Sequence, residues 1–550
     1  MSERLERGVE ALRGQIDSKV NAFFSSCVNC GICAESCLFY TETQDPRYTP
    51  IYKTEPLRKV WKEEFTFWGK FSKKLGLTKS LCEEDLSSWE ELVYDGCSMC
   101  GRCSMVCPVG IDVADMIYRV KQGLEASGYS PQSLVAAADR AIEFGSPMGN
   151  ILPALKAHIK HIEADTGLTV PIDVEGVDYM TTISANEIVT FPEYIAALTR
   201  IFHHAGVTWT ISSEAFEATN SGLQLGDNKI AAELIERIVA AAEKLKVKYI
   251  VSPECGHAYS AIRWNGPNFI GRGYKFGVVH ILELLDELYH DGRLKLSGME
   301  TSKLTFHDPC QLVRRGGVDA QPQELLASVA ENIVVMKEHG RMNWCCGGGG
   351  GVSAIERAEE IRIKVFNRKK SQLDELNVET VVTACSNCRT VLEDGLDANN
   401  MEIPVLGLTE LIAEHLVVSD SVSSKSAGSQ PLMDAKSSAV SPVPVITKKT
   451  MNTDKSSSSK SQKSISDTED NLKKIEGIGP KIEEILKVGG ITTFSKLSTS
   501  QYDDLKALLN EAGSRYKMHN PTTWPQQAEL ANKGAWDELS DLQDRLLGGR

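Results

Sequence analysis

The chain contains 550 residues, enough for three or four domains of roughly 150 residues each. Its hydrophobic and charged fractions, 42% and 24%, are typical of a globular protein, and its net charge of −14 disfavours general binding to nucleic-acid phosphates. No apolar run predicts a transmembrane helix, and the charged N-terminus lacks the apolar core of a signal peptide, so we expect a soluble, cytoplasmic protein.

Cysteine is the residue type that points most clearly to a function. All of the 15 cysteines except Cys82 and Cys255 fall into three tight sets. An odd number of cysteines in a long chain without a secretion signal argues against a disulfide framework. Metal binding or redox chemistry is therefore the favoured use of these thiols.

The hydrophobic pattern predicts an α+β multidomain chain. Residues 1–20 have apolar positions at helical spacing and are predicted to form one amphipathic helix. Two cysteine sets follow within 21–125, separated by the aromatic and charged stretch WKEEFTFWGKF, and 126–170 is predicted to be a helical connector. Strand-like and helical runs then alternate twice, which predicts two α/β units over 171–290 and 291–418.

The two α/β units look like a degenerate repeat. VKYIVSPECGHAY of the first unit aligns with VETVVTACSNCRTV of the second, which places Cys255 at the position of Cys388 and Ser252 at that of Cys385. Where the second unit has an adjacent cysteine pair, the first has only the stretch ISSEAFEATN. We expect two similar lobes that face each other.

A polar segment and a small helical domain follow the repeat. Residues 419–470 are rich in Ser and Lys and contain no aromatic residue, so we expect a disordered linker. Within 471–550, the run LKKIEGIGPKIEEIL resembles a helix–hairpin–helix motif, whose Gly-Ile-Gly turn can offer backbone amides to a phosphate. The 11 basic and 11 acidic residues of 471–550 cancel, so a protein-docking module is preferred to a DNA-binding domain.

The first two cysteine sets share the spacing C-x2-C-x2-C-x3-C. They consist of Cys27, Cys30, Cys33 and Cys37, and of Cys97, Cys100, Cys103 and Cys107. This spacing predicts two [4Fe-4S] cubanes in which the fourth cysteine of each run binds the other cluster, so Cys107 completes the first ligand set and Cys37 the second. Gly31 and Gly101 lie where the backbone must bend close to a cluster. Zinc sites or free thiols are the less favoured alternatives.

The third set comprises Cys310, Cys345, Cys346, Cys385 and Cys388, with a glycine run after the adjacent pair. With the two cubane motifs, it resembles the CCG cysteine-rich domain of the heterodisulfide reductase family over about 20–415. The resemblance implies a two-cluster ferredoxin-type domain, a degenerate CCG-type lobe and an intact CCG lobe. In the intact lobe it implies a third iron–sulfur centre, non-cubane in some family members, with catalytic and ligand roles for the five cysteines.

The glycine run is predicted to serve this centre rather than a nucleotide. Gly347, Gly348 and Gly349 would remove side chains beside the cluster and offer backbone N–H groups to it. A phosphate-binding loop is not expected, because no Lys-Ser/Thr pair follows the glycines.

Some residues near the cysteine sets keep two interpretations. Cys255 and His257 are either packed structural residues or groups that face the CCG centre from the first lobe. His307 and Asp308 either orient the ligand loop or form an Asp-Pro turn. Cys82 is expected to fill a helix face.

Two functions fit these patterns. The first is an enzyme, the catalytic electron-transfer subunit of a heterodisulfide-reductase-like complex, whose CCG centre cleaves or forms a substrate S–S bond. The alternative is a non-catalytic iron–sulfur relay subunit of a flavin-linked glycolate or lactate oxidase, with the flavin on a partner. Either requires other subunits, a membrane quinone-reactive subunit or a flavoprotein, which could hold the chain at the inner face of the membrane. Nucleic acid is not an expected partner.

Overall fold

The computed structural model describes residues 2–77, 80–417, 470–512, 516 and 521–543. The chain forms two compact units, Met1–Ser419 and Asp420–Arg550. The linker predicted over 419–470 lies outside the described residues, except for Asp470.

Helices surround the first two cysteine sets. They are Glu3–Gly14, Ser18–Ser26, Ile32–Glu35, Leu38–Thr43, the 3-10 turn Pro46–Tyr48, Pro50–Lys53, Glu55–Phe65, Phe67–Lys74, Glu83–Tyr94, Arg102–Met105 and Val113–Ala126. The single helix predicted over 1–20 is divided in two, because the Asp17 side chain accepts a hydrogen bond from the Val20 amide and caps a new helix. Leu5, Leu12 and Val20 of the predicted apolar face are buried.

Two parallel sheets form the rest of the first unit. The strands are β1 Tyr179–Thr181, β2 Trp209–Ile211, β3 Tyr249–Ser252 and β4 Gly277–His280, in the order β2-β1-β3-β4, and β5 Leu304–His307, β6 Thr380–Thr383 and β7 Val405–Gly407, in the order β5-β6-β7. Most strand residues are fully buried, as is usual for parallel sheets with helices on both faces.

The helices of this part precede, connect and follow the strands. They are Gln132–Phe144, Leu152–Thr166, Ala185–Val189, Glu193–His204, Ser221–Leu225, Asn228–Leu245, Gly256–Ser260, the π-helix Ala261–Asn265, Gly266–Ile270, Ile281–His290, Cys310–Val313, Gln321–Ala327, the 3-10 segments Gly340–Met342, Gly349–Ala354 and Glu356–Ala358, Glu359–Leu376, Ser386–Ala398 and Leu408–Glu414.

The two sheets share a three-strand pattern, β1-β3-β4 in the first and β5-β6-β7 in the second, and the first sheet has β2 in addition. In both, the central strand leads into a helix whose preceding residue is a cysteine, Cys255 after β3 and Cys385 after β6. The structure therefore places Cys255 at the position of Cys385, and the alignment with Cys388 was wrong. Two residues separate β3 from Cys255 whereas one separates β6 from Cys385, so aligning the strands needs a one-residue gap. The sequence alignment instead matched the spacing of Ser252 and Cys255 to that of Cys385 and Cys388.

The two lobes meet through the helices that follow their strands. Helix Gly256–Ser260 of the first lobe contacts Cys310–Val313 of the second, and Ala185–Val189 contacts Ser386–Ala398. The Ser184 and Ser386 hydroxyls lie 3.0 Å apart across this interface. Equivalent loops of the two lobes are thus brought together at the carboxyl ends of the strands.

The second unit is a small α-helical domain. Its helices are the 3-10 turn Leu472–Lys474, Pro480–Val488, Phe494–Thr499, Tyr502–Glu511, Trp524–Asn532 and Trp536–Gln543. Leu472, Leu486, Leu505 and Trp524 are among its buried residues, and Gly477 of the predicted turn has a positive φ of 92°. None of the helices described in either unit combines the length and apolar character needed to cross a bilayer.

Candidate iron–sulfur sites

The first predicted ligand set surrounds one cavity. Cys27, Cys30, Cys33 and Cys107 all line a space of about 830 Å³ that opens to solvent. Cys107 belongs to the second cysteine run, so this cavity joins the two runs as crossed ligation requires. Its other walls are largely apolar and include Phe24.

The two cysteine runs have the same backbone geometry. Asn29 and Met99, each just before the second cysteine, have φ of 54°, and Gly31 and Gly101, each just after it, have φ of 81° and 75°. Two left-handed residues on either side of one cysteine bend the backbone sharply, so that the thiols of the run can converge on one point. The bends predicted at both glycines are present.

Cys37 of the first run lies with the second run. Burial, and then the charges of Cys100 and Cys37, raise the pKa of Cys103 well above its usual value. The Lys53 ammonium lies 3.9 Å from the Cys37 sulfur and donates to the Gly96 carbonyl at 2.5 Å. This lysine is almost fully buried and places a positive charge beside the second set.

The five cysteines of the third set are all buried at the carboxyl ends of β5 and β6. Cys310 begins the helix after β5, and Cys385 precedes the helix after β6. The Cys310 and Cys345 sulfurs lie 3.8 Å apart, and those of Cys346 and Cys388 lie 3.5 Å apart. Residues far apart in sequence thus form one cluster of thiols.

Hydrogen bonding among the thiols favours the thiolate form of Cys346, while it raises the pKa of its neighbour Cys388. Hydrogen bonds between Cys346 and the thiols of Cys345 and Cys388 lower the pKa of Cys346 well below its usual value. The Lys369 ammonium is buried beside the thiols, where burial lowers its pKa to about 8 while the charges of Asp308 and Cys346 oppose that shift. No sequence pattern distinguishes Lys369, because a lysine in a charged helix is normally exposed.

His307 and Asp308 have different roles. Asp308 accepts hydrogen bonds from the Gly340 amide at 2.8 Å and from the Gln323 side chain at 3.2 Å, so it orders the loop that leads to Cys345. The His307 side chain, by contrast, forms no hydrogen bond: both ring nitrogens are buried and have no partner among the described residues. Burial lowers the pKa of His307 well below its usual value, which keeps the imidazole neutral.

The glycine run brings the third set against the second. A Cβ atom at Gly349 would lie 2.6 Å from the Ser98 carbonyl oxygen, and one at Gly350 would lie 3.0 Å from that of Cys97. The Cys345 sulfur is 3.3 Å from the Ser98 hydroxyl. The Gly347 amide donates to the Cys345 sulfur at 3.3 Å, and a backbone hydrogen bond from Gly348 contributes to lowering the pKa of Cys346. Close approach of two cysteine loops is therefore the clearest role of these glycines.

The remaining sequence-predicted residues lie around these sites. Cys255 is buried at the lobe interface, where burial and the charge of Cys385 raise its pKa. His257 accepts a hydrogen bond from the Gly350 amide at 3.4 Å, so it contacts the glycine run from the first lobe. Cys82 precedes helix Glu83–Tyr94 as its cap instead of filling a helix face.

Three family models match the chain. Residues 24–111 match the 4Fe-4S dicluster domain, 304–393 match the CCG cysteine-rich domain and 472–532 match the RS2/RL21/YNQ2 HHH domain. The dicluster domain gives two 4Fe-4S clusters, and the cysteine-rich domain supports a further iron–sulfur centre.

Several curated proteins are similar over most of this chain. The Hdr-like menaquinol oxidoreductase iron-sulfur subunit 2 of Archaeoglobus fulgidus is 26% identical over 74% of this chain and 83% of its own length. One subunit of the dihydromethanophenazine:CoB–CoM heterodisulfide reductase of Methanosarcina barkeri is 25% identical over 72% of this chain and 95% of its own. The EtfAB:quinone oxidoreductase of Syntrophomonas wolfei is 26% identical over 68% of this chain and 56% of its own. The chain is thus an iron–sulfur protein that joins a 4Fe-4S dicluster domain to a CCG domain, similar to heterodisulfide reductase-like subunits.

Proposed function

We propose that this chain transfers electrons through two cubanes to a CCG-bound centre that acts on a disulfide or thiol substrate. The observation that carries the proposal is the direct contact between the second cysteine run and the third set, where Cys345 meets Ser98. Electron transfer between clusters requires such proximity, and a cluster of thiols with no neighbouring redox site would not need it.

The proposed ligand sets follow the geometry of the cavity and the loops. Cys27, Cys30, Cys33 and Cys107 would hold the solvent-side cubane, and Cys97, Cys100, Cys103 and Cys37 the inner one. Cys310, Cys345, Cys346, Cys385 and Cys388 would hold the CCG centre. The cavity open to solvent makes the first cubane the point of exchange with a partner protein, and the inner cubane connects it to the CCG centre.

The substrate chemistry is a two-electron exchange at sulfur. Reduction of a disulfide breaks one S–S bond, takes up two electrons and two protons, and releases two thiols, and oxidation reverses each of these steps. The iron–sulfur centre would supply the electrons one at a time. A cubane with four cysteine ligands has no free position for a substrate sulfur, so we place the reaction at the CCG centre, where five thiolates exceed that need.

The substrate would approach from the interface of the two lobes. A narrow cleft there is lined by Cys385 of the second lobe and by Glu187, Tyr194 and Glu254 of the first, and it would have to widen to admit a substrate. Arg389 also lines it, and its guanidinium binds the Glu410 carboxylate at 2.8 Å. A polar, partly charged approach of this kind suits a hydrophilic thiol or a sulfur carrier.

Partners are required at both ends of the path. The names of the relatives include a menaquinol oxidoreductase and a quinone oxidoreductase, which supports a membrane quinone-reactive subunit or a flavoprotein as the electron partner. These names also favour the relay function as the second candidate, in which the CCG centre passes electrons on without binding a substrate. We propose that the second unit docks a partner protein.

Removal of one CCG thiolate separates the two candidates. Cys346→Ala should reduce disulfide turnover by dithionite-reduced protein to background, because Cys346 lies at the centre of the thiol cluster. The two cubanes should remain reducible, as followed by anaerobic visible and magnetic resonance spectra. Disulfide reduction by the variant at the parent rate would contradict the placement of the reaction at the CCG centre, and the absence of disulfide turnover in the parent itself would favour the relay.

A further inference from the structure

The His307 side chain is directed at the thiols of the third set. One of its ring nitrogens and the sulfurs of Cys346 and Cys388 all lie within 4.8 Å of one another. His307 is the last residue of β5, and its carbonyl accepts a hydrogen bond from the Thr383 hydroxyl at 3.0 Å. The imidazole is therefore held in place by the sheet instead of by a flexible loop.

This imidazole lacks any other role among the described residues. His307 is only 1% exposed, so water does not reach its two ring nitrogens, and neither nitrogen has a hydrogen-bond partner among the described residues. A buried polar group without a partner destabilises the fold, so such groups are rare unless something other than the protein chain binds them. Imidazole nitrogen is a common ligand for iron and can replace thiolate in iron–sulfur centres.

We propose that His307 is a nitrogen ligand of the CCG iron–sulfur centre, beside Cys346 and Cys388. The centre would then have five thiolates and one imidazole, more ligands than one cubane takes. A neutral imidazole donates less negative charge to iron than a thiolate does, so this ligand would raise the reduction potential of the centre. The inference rests on the proposed centre but not on the identity of its substrate.

Histidine labelled with ¹⁵N provides the test, with the full chain prepared anaerobically. Pulsed magnetic resonance on the paramagnetic form of the CCG centre should show a strongly coupled nitrogen that changes from ¹⁴N to ¹⁵N with the label. The coupling should persist in His257→Gln, because the His257 imidazole of the parent contacts the glycine run and not the thiols. It should vanish in His307→Gln. The absence of any coupled histidine nitrogen in the parent, or its loss in His257→Gln, would overturn the proposal.

A second variant covers failure of His307→Gln to load the centre. His307→Cys supplies a thiolate at the same strand position and should retain the iron, lose the nitrogen coupling and lower the midpoint potential. A potential unchanged from the parent in a loaded His307→Cys protein would overturn the proposal. Disulfide turnover by Cys346→Ala is a separate readout, so failure of the enzyme proposal and failure of this inference can be distinguished.

A different feature, helix Phe67–Lys74, projects from the first unit. None of its residues is buried, and Phe67 and Trp68 are 77% and 73% exposed. Their rings contact each other with centroids 5.5 Å apart, and Trp68 and Phe71 with centroids 6.3 Å apart. The aromatic side chains therefore pack on one another and leave a continuous apolar surface facing solvent.

The charge of this segment is opposite to that of the whole chain. Residues 65–77 contain three lysines and no acidic residue, whereas the chain has a net charge of −14. Lys73 pairs with Glu63 and Glu64, but Lys70 and Lys74 are exposed and form no ion pair within the described part of the chain. Lysine is depleted in protein–protein interfaces, while lysine mixed with Trp and Phe on one helix is typical of helices that lie at a membrane surface.

We propose that helix Phe67–Lys74 docks on an anionic lipid surface, with the aromatic rings among the headgroups and acyl chains and the lysines at lipid phosphates. Binding by the full chain to phosphatidylcholine vesicles containing phosphatidylglycerol should exceed binding to phosphatidylcholine alone by at least tenfold. Added salt should weaken it, because the lysine contribution is screened.

Two variants and a control test the surface. The double change Phe67→Ser/Trp68→Ser and the double change Lys70→Gln/Lys74→Gln should each weaken binding to anionic vesicles at least tenfold, with unchanged iron content. Trp264→Ser removes another exposed tryptophan and should bind as the parent does. Equal binding by the first double variant, or no binding by the parent, would overturn the proposal. So would a photo-crosslinker at Phe67 that reacts only with a protein subunit in native membranes.

Discussion

The two lobes share a scaffold but differ in chemistry. Both place a helix after each strand and present a cysteine just before the helix that follows the central strand. In the second lobe four more cysteines surround that position, whereas in the first lobe the facing groups are carboxylates such as Glu187 and Glu254. The scaffold therefore fixes where loops meet, and the side chains in those loops decide whether a metal centre forms.

The largest expected effect is a loss of iron when Cys385, but not its equivalent Cys255, is replaced. Cys385→Ser should remove the CCG centre, a loss of about four iron atoms per chain if the centre is a four-iron cluster. Cys255→Ser, at the equivalent position of the first lobe, should leave the iron content unchanged. Iron analysis of both anaerobic proteins tests the difference. Equal iron loss in the two variants would show that the first lobe also binds metal.

The dicluster domain offers a second comparison. The fourth cysteine of each run binds either the cluster of the other run, as crossed ligation requires, or the cluster of its own run. Cys37→Ala should damage the cluster proposed to be held by Cys97, Cys100 and Cys103, because Cys37 lies with those thiols. Magnetic resonance of the reduced protein should show loss of the inner cubane with the solvent-side one retained. Cys82→Ala, outside both sets, is the matched control and should keep both signals. Selective loss of the solvent-side cluster would contradict the crossed assignment.

In the first lobe, the stretch that stands where the second lobe has its cysteine pair carries a buried carboxyl group. Burial raises the pKa of Glu217 from 4.5 to about 7. Because the folded state holds this proton more tightly than the unfolded state, the free energy of unfolding falls as pH rises from about 4.5 to about 7. The loss is about 3 kcal/mol at 1.36 kcal/mol per pKa unit.

Glu217→Gln should remove this dependence, since the amide oxygen can still accept from the Ala185 and Thr219 amides. Hydrogen exchange of the first lobe at pH 5 and pH 8 measures the change without requiring unfolding of the whole chain. Glu214→Gln, at an exposed position of the same stretch, should retain the parent dependence. The same pH dependence in parent and Glu217→Gln would contradict the assignment to Glu217.

The smallest expected effect is that of removing the second unit. Deletion of 421–550 should leave iron content and the visible spectrum unchanged, because these residues contain no cysteine. Association with the partner complex should fall instead. A truncated chain that fails to assemble its clusters would show that this region does more than dock a partner.

Cysteine spacing predicted the candidate sites better than the hydrophobic pattern predicted their surroundings. The two duplicate runs and the CCG set were visible because ligand spacing is local or highly specific. The helix break at Asp17 was missed, since the apolar spacing continues through it while a capping side chain interrupts the backbone.

Contacts between distant segments lay beyond the sequence. The equivalence of Cys255 and Cys385 follows from where β3 and β6 end, whereas the sequence alignment relied on the matching spacing of Ser252–Cys255 and Cys385–Cys388. The proximity of Lys53, Lys369 and His307 to the cysteine sets arises only when distant segments of the chain pack together. Such features depend on tertiary packing and carry no pattern of their own.

The most direct test of substrate chemistry at the CCG centre is magnetic resonance of the protein oxidised anaerobically in the presence of a thiol. We expect a new paramagnetic signal from the CCG centre in the parent and in Cys255→Ser, and no such signal in Cys346→Ala, while the two cubanes are reducible in all three proteins. A thiol-dependent signal that persists in Cys346→Ala, or one that arises from a cubane, would contradict the claim that substrate sulfur reacts at the CCG centre.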